Sequence, residues 1–286
     1  MTAAFFRQLE WELRCLWRRP RTYVGFGAAL LFQLMLFAAL ELPSVRGQFL
    51  RGAATLHEYL KLGEPFSALS NAVRVTGQTI VFIGGVSLAL VAGDLVAKDA
   101  EDGTLRMVFC RPVSRTSVFL QKLLACTVYS VALTSFVGLS ALLLAFAFEG
   151  TSGGLVVVSF REGILGAHEF AAGMQRYAAS MPLLAASILT VPLLAFTLSC
   201  FPMKAATAAS VAVLVLLGDW TIQSLPTFAP LSPYTLTTRI VSWRQVFNDA
   251  IPWLRLQRNY SELAVVDLLL VLVGWCAFCR RPLKPR

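Results

Sequence analysis

Val118–Phe148 reads VFLQKLLACTVYSVALTSFVGLSALLLAFAF, 31 residues that carry a single charge, Lys122. A helix rises 1.5 Å per residue, so about 20 apolar residues cross a hydrocarbon core roughly 30 Å thick. This stretch exceeds that length and has enough residues to tilt or to project beyond the bilayer. Working outward, five more stretches qualify or come close: Tyr23–Leu40, Ile80–Val96, Leu183–Phe201, Ala205–Trp220 and Leu263–Cys279. Pro182 opens the fourth span and Pro192 lies inside it, which a membrane helix tolerates at the cost of a kink. The fifth is short, and only Pro202-Met203-Lys204 separates it from the fourth, so these two are expected to form a tight helical hairpin. The composition agrees. Of 286 residues 57% are hydrophobic and 14% charged, with a mean hydropathy of +0.67, against about 25% charged in soluble domains. A water-soluble fold and a disordered chain are both excluded.

The formal charge of +9 raises the question of nucleic acid, and its distribution answers it. Cytoplasmic loops are enriched in Lys and Arg. With the N-terminus inside, the inner segments hold 15 of the Lys and Arg and six of the acids, and the outer segments hold ten of each. The whole excess then lies on one side, and no nucleic-acid partner is expected. The fold class predicted is an all-α polytopic membrane protein: six transmembrane helices, an N-terminal amphipathic interfacial helix, and both termini cytoplasmic. A cleaved signal peptide is the rival reading of the N-terminus, but Glu10, Trp11, Glu12 and Trp17 make a poor positively charged leader. All six cysteines fall in spans or inner segments, so no disulfide is expected. Cys276 and Cys279 have CxxC spacing without a second pair and read as small apolar helix residues.

Several chemistries are missing from the sequence. No GxxxxGK[ST] loop occurs, so ATP is not expected to be hydrolysed here by that route. His57 and His168 each precede a glutamate, but no second histidine stands at HExxH spacing, and both are expected on outer-loop surfaces. Asp94, Asp219 and Asp267 lie near predicted span ends. Asp267 is the deepest and is the one candidate pathway residue, since a charge inside a membrane helix is a functional hypothesis by default. No catalytic constellation is present, and an enzyme is not expected.

Two inner segments carry more pattern. In residues 2–22, Phe5, Phe6, Leu9, Leu13, Leu16 and Trp17 recur at helical spacing, while Arg7, Glu10, Arg14, Arg18 and Arg21 take other positions. This predicts an amphipathic helix in the headgroup layer, with Phe6, Leu9, Leu13, Trp17 and Arg18 at the interface, broken by Pro20. In residues 97–117, Asp99, Glu101 and Asp102 precede Gly103, and Leu105, Met107, Val108 and Phe109 form a short apolar set that Pro112 stops. Ser114 is placed to cap the next helix. A short rigid element between two spans suits docking of another protein, although an ordinary charged loop has the same composition.

The run Gly93-Asp94-Leu95-Val96-Ala97-Lys98-Asp99, Glu101-Asp102-Gly103-Thr104-Leu105-Arg106, Arg111-Pro112-Val113-Ser114-Arg115 and Gln121-Lys122 resembles the signature of the ABC transporter type-2 permease family. Acidic residues, then Gly-Thr-Leu, then Pro-x-Ser-Arg, then a Lys entering the third span are the features shared. Leu231-Ser232-Pro233-Tyr234 resembles a family feature of the last outer loop, more weakly. Lys98 and Ala100 dilute the acidic run. The resemblance implies a permease that pairs with a cytosolic ABC ATPase subunit, which would hold the ATP and magnesium, and with a second permease copy, the same chain or a close paralogue. It implies a prokaryotic inner membrane. It also implies that Asp99, Glu101, Asp102, Gly103, Thr104, Leu105, Arg106, Pro112, Ser114 and Arg115 form the coupling segment docked on the ATPase, with no cofactor on this chain.

The outer segments are expected over 41–79, 149–182 and 221–262. The last holds Tyr234, Trp243, Trp253 and Tyr260 interleaved with Arg239, Arg244, Arg255 and Arg258, read as surface helices with solvated arginines against membrane lipid. One permease domain, 1–286, is expected. An exporter half is the first functional expectation. The alternative is a non-transporting scaffold that relays ATPase motion to an extracytoplasmic partner. The substrate is not legible.

Overall fold

The computed structural model describes residues 2–43, 67–110, 112–151, 153–159, 164–225, 228, 230 and 234–282. Eleven α-helices are described among them: α1 (Thr2–Arg18), α2 (Pro20–Leu40), α3 (Ala68–Thr79), α4 (Gly85–Glu101), α5 (Thr104–Phe109), α6 (Arg115–Glu149), α7 (Phe170–Ile188), α8 (Thr190–Cys200), α9 (Ala205–Ser224), α10 (Leu236–Ile240) and α11 (Trp253–Arg280). A π-helical turn (Ile80–Gly84) joins α3 to α4, and a 3₁₀ turn (Val241–Phe247) follows α10. One antiparallel hairpin, β1 (Leu155–Ser159) with β2 (Ile164–His168), pairs Leu155 with His168.

Among the described residues six helical stretches are long and apolar enough to cross a membrane: Pro20–Leu40, Ala68–Glu101, Arg115–Glu149, Phe170–Cys200, Ala205–Gln223 and Trp253–Arg280. The chain is an all-α polytopic membrane protein. An even number of spans puts both termini on one side, here called the terminal face; the opposite side is the distal face. The break expected at Pro192 falls at Leu189, between α7 and α8, and residues 201–204 make the tight hairpin into α9.

Spans two and four begin earlier than the sequence reading placed them, at Ala68 rather than Ile80 and at Phe170 rather than Leu183. The early turns of α3 are polar and therefore read as outer loop. Their polar groups point inward and are satisfied there. Asn71 Nδ2 donates to Glu149 Oε1, and the Thr76 and Tyr177 hydroxyls lie 3.0 Å apart. A helix whose polar groups find protein partners can run through apolar surroundings.

Small residues let α4 and α9 approach closely. On α4, Gly85, Ala89, Gly93 and Ala97 recur every fourth residue and are all buried. They face α9, on which Ala205, Ala208, Ala209 and Ala212 are also buried. A Cβ built on Gly93 would stand 3.1 Å from the backbone nitrogen of Ala209. Close backbone approach is how helices gain dispersion contacts when lipid offers no hydrophobic driving force. Helices α9 and α11 both pack on α8, while α2 and α3 pack on α6.

The distal face is a built platform, which corrects three expectations. His168 is nearly buried, with Nε2 2.9 Å from the carbonyl of Phe247, and is no surface residue. Trp243 is 1% exposed and stacks edge-on with Phe247, so it is core rather than interfacial. Arg239 pairs with Glu262 and Arg244 lies over Trp243, so only Arg255 and Arg258 of the four arginines are solvated. The guanidinium of Arg176 binds the carbonyls of Val246, Asn248 and Asp249, tying α7 to the 3₁₀ turn. His57 and Leu231-Ser232-Pro233 lie outside the described residues.

Candidate functional site

The terminal face is organised by Lys122, the one charge in the run Val118–Phe148. Its ammonium is almost fully buried and is met by Glu12 Oε1 at 2.6 Å, by the carbonyl of Leu95 at 2.9 Å, and by Asp99 Oδ2. Asp99 also accepts from Arg19 Nη2 at 2.8 Å. One lysine thus joins α1, α4 and α6. Arg21 adds a bond to Asp94 at 2.9 Å, and Gln121 one to Gln8 at 2.7 Å. Three donors on an ammonium and three acceptors around it leave no buried proton unmatched. Such a pair is stable only when these extra hydrogen bonds are complete.

The segment between α4 and α6 is fixed at both ends by local chemistry. Gly103, at φ +76°, adopts the left-handed conformation that reverses the chain out of α4. The Thr104 hydroxyl donates to the carbonyl of Asp99 at 3.0 Å. Glu101 Oε1 accepts the Ala205 N–H at 2.6 Å and so caps the start of α9. At the other end, Ser114 Oγ accepts the Ser117 N–H and caps α6. Arg115 donates to the carbonyls of Cys279 and Arg281, each at 2.9 Å, and its guanidinium lies 5.5 Å from the Phe109 ring. Arg281 in turn donates to the carbonyl of Ser199 at 2.7 Å, and burial pushes its guanidinium below its ordinary range.

The residues assigned to docking therefore divide. Asp99, Leu105 (2% exposed) and much of Arg115 face inward, and Glu101, though solvent-exposed, is held as a helix cap. Asp102, Arg106, Met107 (65% exposed), Pro112 and Ser114 face outward. Leu105 and Phe109, whose ring centroid lies 6.3 Å from that of Phe278, anchor α5. The result is a short helix with a pinned inner side and an open outer side.

Helix α1 divides likewise. Leu16 is buried, Leu13 packs on the core, and Trp17 lies among Tyr23, Phe26 and Tyr129. Leu9 is half-buried, whereas Phe6, Trp11 and Arg18 are exposed. The helix thus packs on α6 with one side and leaves apolar aromatics on another. Burial and the neighbouring Glu12 push the Cys15 thiol up.

Asp267 sits at the middle of α11, beside Thr190 at the start of α8. Asp267 Oδ1 and Thr190 Oγ1 are both buried, and neither reaches hydrogen-bond geometry with any partner. Among the described residues no three His, Cys, Asp or Glu side chains gather as a metal ion would need.

Sequence reasoning missed Glu12 and Arg19 as partners of the segment, and it named no partner for Lys122. The available signal was the lone charge in an apolar run of 31 residues, because such a residue must find a counter-charge.

Among curated proteins none matches the chain. The profile described as ABC-2 family transporter protein matches residues 9–198, about two thirds of the chain, including Lys122 and its partners Glu12, Leu95 and Asp99. The helical spans, the capped segment between the second and third of them and this match lead to one conclusion: the chain belongs to the ABC-2 family of transporter proteins.

Proposed function

We propose that this ABC-transporter permease is the membrane half of an exporter, with its terminal face in the cytoplasm of a prokaryotic cell and a separate ABC ATPase docked there. The observation that carries the reading is the open outer side of α5, presented by a helix pinned on its inner side. Arg106 and Met107 project from a helix whose other side is buried and whose flanks are capped. A rigid knob with an apolar tip and flanking charges suits a groove on a motor subunit. The basic excess of the terminal segments supports the cytoplasmic assignment. ATP and magnesium would belong to the ATPase, whose closure would bias the spans between access states through α5. Two permease copies, identical or paralogous, would complete the complex.

The test is co-purification with a candidate ABC ATPase subunit co-expressed with this chain. Met107→Asp and Arg106→Glu are expected to abolish co-purification while the permease still inserts and elutes as before. A complex that survives both substitutions refutes docking at α5. Leu105 and Glu101 are unsuitable probes, because one is buried and the other caps α9. The distal platform gives the relay reading its own support: Arg176 and His168 hold β2, α7 and the 3₁₀ turn as one unit. A permease that hydrolyses ATP with its partner but moves no solute, while a distal partner changes state, would favour that reading.

A further inference from the structure

At the distal ends of α9 and α11 lies an open groove of about 510 Å³. This lies within the roughly 300–1,000 Å³ of small-molecule sites. Helices α9 and α11 flank α8, and the short α10 bridges their distal ends. Two of the groove's three ionised lining groups are carboxylates, Asp219 and Glu262, and the third is Arg239.

These groups are held in place before any ligand arrives. Asp219 accepts the N–H groups of Leu236 and Thr237, at 3.0 and 2.5 Å, which orders the start of α10. Glu262 is bracketed by Arg239 Nε at 2.5 Å and Arg258 Nε at 3.0 Å. Tyr234 adds an aromatic ring that is 77% exposed. Below this rim the wall is apolar: Val265 and Val266 line the groove, and Leu217 on α9 and Leu269 on α11 continue outward-facing toward the membrane interior.

We infer that this groove binds an amphiphile with an ammonium headgroup, the ammonium among Asp219, Glu262 and Tyr234 and the chain along Val265. Carboxylates beside an exposed aromatic face are the chemistry that recognises an ammonium. With Arg258 at the mouth the rim holds two carboxylates and two guanidiniums, so it suits a headgroup that carries an ammonium better than a purely anionic one. The apolar wall beneath the charged rim matches a ligand that is polar at one end only. Arg258, at the mouth, would meet a phosphodiester if the ligand carries one. Two sources share this chemistry, an aminophospholipid of the bilayer and a single-chain amine carried as cargo. The inference is independent of where the ATPase docks.

The test uses the purified full chain in a neutral detergent and measures its unfolding temperature against added phosphatidylethanolamine, phosphatidylglycerol and dodecylammonium. Phosphatidylethanolamine, dodecylammonium or both should raise the midpoint saturably by several degrees, and phosphatidylglycerol should not. The response to the lipid alone assigns the site to the bilayer, and the response to the surfactant assigns it to a single-chain amine. Val265→Trp fills the groove without touching the charged rim and is expected to remove the shift; Glu262→Gln should weaken it. An equal response to phosphatidylglycerol, no response to either amine, or a response unchanged in Val265→Trp would overturn the inference.

Discussion

Replacing Lys122 with methionine keeps the length of the side chain and removes its charge, and the consequences can be worked from the contacts. Asp99 retains Arg19 at 2.8 Å, but no other cation is seen bonded to Glu12. One carboxylate, 14% exposed, is left against the end of α6. Removing one partner of a buried pair costs about 3–5 kcal/mol. The lower figure applies here because α1 can swing out and hydrate Glu12. At 1.4 kcal/mol per decade, about 3 kcal/mol raises the undocked population of α1 roughly 150-fold. Cys15 reports it. While α1 is docked, burial and Glu12 hold the thiol up, so little thiolate exists near pH 7.5 and maleimide reacts slowly. Undocking hydrates the thiol, lowers it toward its ordinary value and speeds labelling, which mass spectrometry of the Cys15 peptide reads directly. If α1 stays docked, the stranded Glu12 remains beside Cys15 and no acceleration occurs. The double variant Lys122→Met with Glu12→Gln removes the stranded charge and is expected to return labelling most of the way to wild type. Labelling in the double variant as fast as in Lys122→Met alone refutes the electrostatic account.

Three further outcomes follow from the geometry. Gly93→Leu places a branched side chain where only 3.1 Å separates a Cβ from Ala209, so α4 and α9 must part; about 1–3 kcal/mol of lost stability should appear as a lower unfolding temperature. Ser114→Ala removes the side-chain acceptor of the Ser117 N–H and should cost about 1 kcal/mol, seen as faster amide exchange confined to the first turn of α6. Asp267→Leu deletes a mid-span carboxyl with an unmatched buried oxygen, and it should raise the unfolding temperature, since a central aspartate costs about 2.5–3.5 kcal/mol on insertion. A fall in transport in the same stabilised variant would give Asp267 a role in the pathway.

The number of spans, the hairpin at 201–204 and the break near Pro192 were legible because they depend on apolar length and on proline, both local properties. The distal ends of spans two and four were not. Asn71 and Arg74 look like loop residues to any hydropathy window, and only the partner Glu149, 78 residues from Asn71, shows that a polar turn is buried. Trp243 misled for the same reason: an aromatic between arginines reads as interfacial unless one knows that Arg239 turns to Glu262. Ser114 as a cap and Gly103 as a turn were legible, because capping and left-handed backbone are decided within four residues.

The coupling segment shows where pattern and contact part company. Asp99, Glu101 and Asp102 are neighbours in sequence and share a charge, so composition treats them alike. Helical geometry turns them about 100° apart per residue, and each meets different surroundings: Asp99 meets Lys122 and Arg19, Glu101 meets the free N–H at the head of α9, and Asp102 meets solvent. A force applied at Arg106 or Met107, as the proposed docking would apply it, has three fixed routes into the membrane: through Asp99 and Lys122 into α6 and α1, through Glu101 into α9, and through Phe109 onto Phe278 of α11. An element tied to three spans cannot tilt without moving them together. The acidic run does two things at once, since Asp99 and Glu101 tie the segment to the spans while Asp102 faces solvent, where the proposed partner would meet it.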